Sequence, residues 1–189
     1  MSAAAPSARP RVEVGLALPV LAGIGMLLLR LRILDTSGAT RIVLLTAVFA
    51  AILTASLLIP VAPGVARARP WAVTTVGLAG VGAAVLVAGR PISAPLGAWA
   101  LPLAVLAAVA EEALFRRAAY GWLERSGAAL AIAGSALLFA VVHVPIYGVA
   151  VFWVDLGAGL LFGWQRWASG RWDVPAATHV VANLLAVMR

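Results

Sequence analysis

Seven apolar runs, at about 14–29, 41–62, 71–89, 96–123, 128–147, 149–165 and 174–188, fill almost the whole of this 189-residue chain. The breaks between them are short and carry turn or stop residues: Asp35-Thr-Ser-Gly38, Arg67-Ala-Arg-Pro70, Arg90-Pro91, Ser126-Gly127 and Ser169-Gly170. A helix needs ~20 apolar residues, at ~1.5 Å rise each, to cross the hydrocarbon core of a bilayer. With 63% hydrophobic and 11% charged residues and a mean hydropathy of +1.04, the chain lacks the polar side chains that a water-facing surface requires. The expected fold is all-α: a polytopic transmembrane bundle of about seven spans, with lipid as its solvent. Residues 1–12 are small and basic, and read as a disordered tail at the membrane surface. The first run ends at Arg30-Leu-Arg32 without a small-residue cleavage site, so it reads as an uncleaved span.

The net charge of +7 comes from fourteen arginines and no lysine. These arginines gather between apolar runs, as topology signals do, so nucleic acid is not expected as a partner. With seven crossings, arginines 9, 11, 67, 69, 116, 117, 125, 166 and 171 fall on the side of the N-terminus, against 30, 32, 41, 90 and 189 on the other. The excess places the N-terminus in the cytoplasm. A lysine-free, Ala- and Arg-rich composition is what a GC-rich genome encodes, which suggests a bacterial cytoplasmic membrane. There is no cysteine, so disulfide and thiol chemistry are unavailable.

Three polar clusters interrupt the later runs: Glu111-Glu112-Ala-Leu-Phe-Arg116, Phe139-Ala-Val-Val-His143 and His179-Val-Val-Ala-Asn183. They hold both histidines of the chain and two of its seven acidic residues. Ionisable groups at membrane depth are expensive, and chains that keep them generally use them. In each cluster two members sit at i, i+4 on one helical face: Glu112 with Arg116, Phe139 with His143, His179 with Asn183. Glu111 lies 15 residues before Ser126 and His143 lies 16 after Gly127, so an antiparallel hairpin brings both to the same depth, ~23 Å from the turn. As one helix the run 96–124 is ~43 Å long, and its excess carries Arg116, Arg117, Glu124 and Arg125 to the cytoplasmic interface. The last span starts near Asp173-Val-Pro175, with Asp173 as its cap, and His179 follows ~9 Å in. The three clusters should therefore meet beneath the cytoplasmic face.

Residue types suggest the chemistry. Arg116 compensates Glu112 and leaves Glu111 free as a general base that shares a water with His143. His179 and Asn183 supply hydrogen-bond donors where a carbonyl oxygen gains charge. Together these groups read as hydrolysis of an amide. Asp155 either faces the same chamber or pairs with an arginine, and Trp153, Trp164, Trp167 and Trp172 read as interfacial anchors. A proton-coupled transporter would predict an inverted repeat and broken helices, and neither is visible in the sequence. A non-catalytic immunity or scaffold protein of the same fold is the other alternative.

The pattern E-E-x-x-x-R, F-x-x-x-H, H-x-x-x-N on successive helices resembles the CPBP family, intramembrane endopeptidases of the CAAX-protease and bacteriocin-processing type. Gly159-Leu-Leu-Phe-Gly163 and Ser169-Gly170-Arg-Trp-Asp before His179 are also similar, and Gly159-x-x-x-Gly163 suits close helix contact. The resemblance covers roughly 96–189, which makes that segment the catalytic core and 13–95 the amino-terminal spans of one membrane domain. It implies that Glu111 and His143 activate water, His179 and Asn183 stabilise the oxyanion, and Glu112, Arg116 and Phe139 support the site. Family members have been described both with and without metal. No metal is required here; if zinc is present, Glu111, His143 and His179 would hold it. The implied substrate is a membrane-associated protein or peptide in the lipid bilayer, with no prenylated substrate carried over.

Overall fold

The backbone winds into helices wherever the sequence is apolar, and glycines mark several of the reversals. The computed structural model describes residues 11–87 and 97–188, and these contain α1 (Arg11–Leu28), α2 (Arg30–Ile33), α3 (Gly38–Leu58), α4 (Pro70–Val87), α5 (Ala100–Glu112), α6 (Tyr120–Leu123), α7 (Ala128–Tyr147), α8 (Val151–Ser169) and α9 (Asp173–Val187). Most of the segment read as a disordered tail, residues 1–10, and the Arg90-Pro91 break lie outside the described residues. No strand occurs among the described residues.

Four rods are long and apolar enough to cross a membrane: Leu16–Ile33, Gly38–Leu58, Gly97–Ser126 and Ala128–Tyr147. The remaining three of the expected seven spans are weaker. Helix α9 has 15 residues, ~22 Å, and α4 is described over 18, ~27 Å. Helix α8 is long enough at 19 residues, but it turns Gln165 and Arg166 inward. Polar groups buried by neighbouring helices lower its hydropathy without exposing charge to lipid.

The packing centre lies where α1, α3, α5 and α7 meet, around Leu27, Leu45, Phe49, Ile52, Leu103, Leu114, Phe115, Phe139 and Val142. Lipid is as apolar as these side chains, so close packing rather than water exclusion holds them. Helices α7 and α8 form the closest pair, and small residues are the reason. A Cβ on Gly159 would stand 2.9 Å from the Ala136 Cα, and one on Gly163 would stand 3.2 Å from the Ile132 Cα. Gly159→Val is therefore expected to force the helices apart and cost ~1–3 kcal/mol, read as a lower unfolding midpoint in detergent.

Helix α8 ends at Gly170, whose φ of 70° is a left-handed cap that closes back on the Arg166 carbonyl at 3.0 Å. The α3–α4 connection lies across this end, where Arg67 and Ala68 both donate backbone N–H groups to Ala168 O at 2.9 Å. Gln165 Nε2 donates to Val73 O (3.1 Å) and to Thr178 Oγ1 (2.9 Å), which ties α4, α8 and α9 together. Trp164 and Trp167 pack against Val73, Ala168 and Val174 instead of standing free as anchors, while Trp153 is exposed. Asp173 is the first residue of α9, and its carboxylate turns to Arg171 (2.9 and 2.5 Å) instead of capping the helix.

Candidate active site

Glu111 and Glu112 are the last two residues of α5, and the chain then runs through a π-helical turn, Ala113–Ala119. A π turn holds one more residue per turn than an α-helix and often marks a functional site. Every residue from Glu111 to Tyr120 except Arg117 is buried. Arg116 therefore does not project from the bundle as the sequence suggested. Arg116 is fully buried, and Arg117 is held by the carbonyls of Ser56 and Ile59 (2.8 Å to Ile59) at the end of α3.

Glu112 has no exposed surface, and Oε1 takes two partners: Arg116 Nη1 at 3.2 Å and His179 Nδ1 at 3.0 Å. The arginine contact is a close ion pair that lacks hydrogen-bond alignment. Arg116 Nη2 donates to Gly159 O at 3.2 Å, and the guanidinium lies 4.7 Å from the Phe139 ring centroid and 5.3 Å from that of Phe162. The glycine that lets α8 approach α7 thus also exposes the carbonyl that receives Arg116. Phe139 and Phe162 form the walls: His179 stacks on Phe162 (5.0 Å, 23°) and meets Phe139 edge-on (5.6 Å, 83°).

Glu111 is 3% exposed and its two oxygens face different groups. Oε1 accepts a hydrogen bond from Arg30 Nη1 at 2.9 Å. Oε2 lies 3.7 Å from His143 Nε2 and 3.9 Å from His179 Nε2. Glu111 is consequently not the free carboxylate expected from the sequence, because an arginine of the amino-terminal half pairs with it. The histidine tautomers follow from their other nitrogens. His143 Nδ1 is 2.7 Å from Phe139 O, a carbonyl that can only accept, so Nδ1 carries the proton. His179 Nδ1 donates to Glu112 in the same way. Both Nε2 atoms are left to face Glu111 Oε2.

Asp155 belongs to this chamber: its Oδ2 is 3.8 Å from His143 Nδ1 and is otherwise unpartnered. Tyr147 stacks on His143 (5.7 Å, 9°) and accepts a hydrogen bond from Arg30 Nη2 at 2.8 Å. Asn183 lies one turn beyond His179 on α9, and its Nδ2 donates to Ala104 O at 3.2 Å. In the antiparallel α5–α9 packing that bond sits about two turns from Glu111, and it sets the register of the two helices. Reasoning from sequence missed Arg30, Tyr147 and Phe162. Tyr147 was signalled by the i, i+4, i+8 series Phe139, His143, Tyr147. Arg30 was read as a topology signal, as an arginine closing an apolar run usually is.

The site reaches the surface at Tyr147, 53% exposed, and at Asp155 near the start of α8. This is the end of the bundle opposite Arg11, where α1 begins. The arginine asymmetry is weaker than the sequence suggests. With Arg116 and Arg166 buried inside the bundle, nine against five falls to seven against five.

Glu111, His143 and His179 are donor types that zinc accepts, and tetrahedral Zn–N distances of ~2.0–2.1 Å would set ligand atoms roughly 3.4 Å apart. The observed pairs are wider, at 3.7 and 3.9 Å, and Arg30 occupies the second carboxylate oxygen. Among the described residues no group of three such side chains has the geometry to hold a metal ion. These separations are wider than a tetrahedral zinc site sets, and the reaction proposed for the site is written without a metal.

A membrane-embedded helical bundle with two carboxylates, two imidazoles and a paired guanidinium converging in its interior has the architecture of an intramembrane hydrolase. Residues 93–185 match the family described as Type II CAAX prenyl endopeptidase Rce1-like. This segment, 93 of the 189 residues, supports placing the chain with the CPBP intramembrane endopeptidases of the CAAX-protease type, and the four long apolar helices support an integral membrane protein. No curated protein and no solved structure matches the chain.

Proposed function

We propose that the chain hydrolyses a peptide bond in a membrane-associated protein or peptide, with water activated between Glu111 and His143 and without a metal. The observation that carries this reading is the convergence of Glu111 Oε2 with the Nε2 atoms of His143 and His179 inside an otherwise apolar bundle. Water held between Oε2 and His143 Nε2 attacks the carbonyl carbon, and Glu111 takes the proton it releases. In this scheme the oxygen that gains charge is received by an Nε2–H of His179 while Nδ1 stays on Glu112, and Asn183, bound to Ala104 one turn further along α9, sets the register that aims the ring. The carbon–nitrogen bond then breaks. Glu111 returns its proton to the leaving nitrogen, giving a carboxylic acid, which then ionises, and an amine. Glu112, Arg116 and Phe139 keep the His179 ring in place. Orphaned polar atoms beside the site, such as Asp155 Oδ2 and Arg30 Nε, are what a chamber that admits water and substrate would leave.

The test is a comparison of protein termini in source-cell membranes that carry either wild type or Glu111→Ala at matched expression. Termini found only with wild type would support proteolysis and name the substrate. Identical termini, with any cellular phenotype retained by the variant, would end the hydrolytic reading in favour of a scaffold or immunity role.

A further inference from the structure

Arg30 lies outside the family-matched segment 93–185, yet its guanidinium reaches the centre of the site. Its neighbours on α1 and α2, from Ile24 to Leu29 and Leu31, are apolar or glycine, so a charge at this depth has no local partner. The fork is divided between two helices. One arm donates to Glu111 Oε1 at 2.9 Å and the other to the Tyr147 hydroxyl at 2.8 Å. Phe49 of α3 covers it, with its ring centroid 5.1 Å from the guanidinium carbon. Tyr147 in turn lies flat on His143, the imidazole whose Nε2 faces Glu111 Oε2.

We infer that Arg30 is a positioning residue of the hydrolytic site. It holds Glu111 by Oε1 so that Oε2 faces the two imidazoles, and through Tyr147 it fixes the plane of His143. The inference rests on the hydrolytic reading and makes the amino-terminal half part of the active unit, not merely a membrane anchor. Two features separate this role from simple charge compensation. A lysine could balance Glu111 but is a single point donor and cannot bridge Glu111 and Tyr147 with a planar fork. In addition, the bridge joins α5 and α7, the two helices that carry the proposed base and its imidazole partner.

The experiment uses the full chain in liposomes of phosphatidylethanolamine and phosphatidylglycerol. The probe is an internally quenched peptide that carries a cleavage sequence found in the comparison of termini. Wild type, Arg30→Gln, Arg30→Lys, Tyr147→Phe and Glu111→Gln are compared for kcat, KM and thermal unfolding. Misplacing a reacting group by an ångström costs about 100-fold in rate, so Arg30→Gln should lose about that in kcat at little-changed KM. Arg30→Lys should recover only part of the loss, and Tyr147→Phe should fall between it and wild type. The inference is overturned if Arg30→Lys turns over at the wild-type rate, if Arg30→Gln changes KM alone, or if Tyr147→Phe is indistinguishable from wild type. Should Arg30→Gln fail to fold, the lysine and phenylalanine variants decide by the same criteria. A fully active Glu111→Gln would instead remove Glu111 as the base, and a wild-type protein that does not cleave the peptide would mean that the hydrolytic reading itself has failed.

Discussion

Glu111→Gln is expected to lower kcat by about 10³-fold while the protein still folds. A positioned general base contributes ~10²–10⁴-fold, and an amide of the same shape cannot accept the proton that water must lose. Shape is preserved because Gln keeps an oxygen where Arg30 Nη1 donates. The cost that remains is one charge-assisted bond turned into a neutral one, ~1–2 kcal/mol for a pair that Arg30 can partly rehydrate at the rim of the site. Rates on a quenched peptide, measured beside thermal unfolding in detergent, separate the two effects. A Glu111→Gln protein that unfolds at the wild-type midpoint and cleaves at the wild-type rate would remove Glu111 from the reaction.

Arg116→Met should have the opposite signature, a loss of the fold before any question of catalysis arises. The guanidinium is fully buried between Glu112, the Gly159 carbonyl and two aromatic rings. Its removal leaves the Glu112 carboxylate without a permanent countercharge in a site that water does not reach. Breaking a buried pair from one side costs ~3–5 kcal/mol, a large fraction of the ~5–15 kcal/mol by which a typical domain is stable. If the pair matters through mutual compensation, Arg116→Met combined with Glu112→Leu should regain much of that stability, because two apolar side chains need no desolvation. The double variant should still be inactive, since His179 Nδ1 then has no acceptor. A double variant less stable than either single one would show that the two residues contribute through packing of their own.

Much of this site was legible in the sequence because its residues sit at helical spacing on spans of opposite direction. Glu111 and His143 meet as the distances from Ser126-Gly127 require, and Glu112 pairs with Arg116 across one turn. Gly159 and Gly163 bring α8 onto α7 as their spacing implied. The misses share one cause. Arg30, Arg117 and Arg166 were read by their place in the chain, as charges near the ends of apolar runs, whereas their partners are a carboxylate, a hydroxyl and carbonyls far away in sequence. Arg166, for instance, donates to Arg116 O at 3.2 Å across 50 residues. Asn183 was assigned by its motif position, and only the packing of α9 on α5 shows its amide bound to Ala104.

Apolar period and turn chemistry were thus enough to determine an all-α membrane bundle, the hairpin about Ser126-Gly127 and the group of Glu, His and Arg residues at one depth. Those properties are local: a 3.6-residue repeat and a 1.5 Å rise place side chains along a helix with no knowledge of its neighbours. The tertiary structure alone decided which oxygen of Glu111 is held by Arg30 and which faces the imidazoles. It alone decided the π turn after Glu112 and the meeting of Tyr147 and Asp155 with His143. Each of these depends on how helices from the two halves of the chain rotate against one another. In a bilayer that rotation is set by packing and by the demand of every buried charge for a partner, and neither leaves a periodic trace in the sequence.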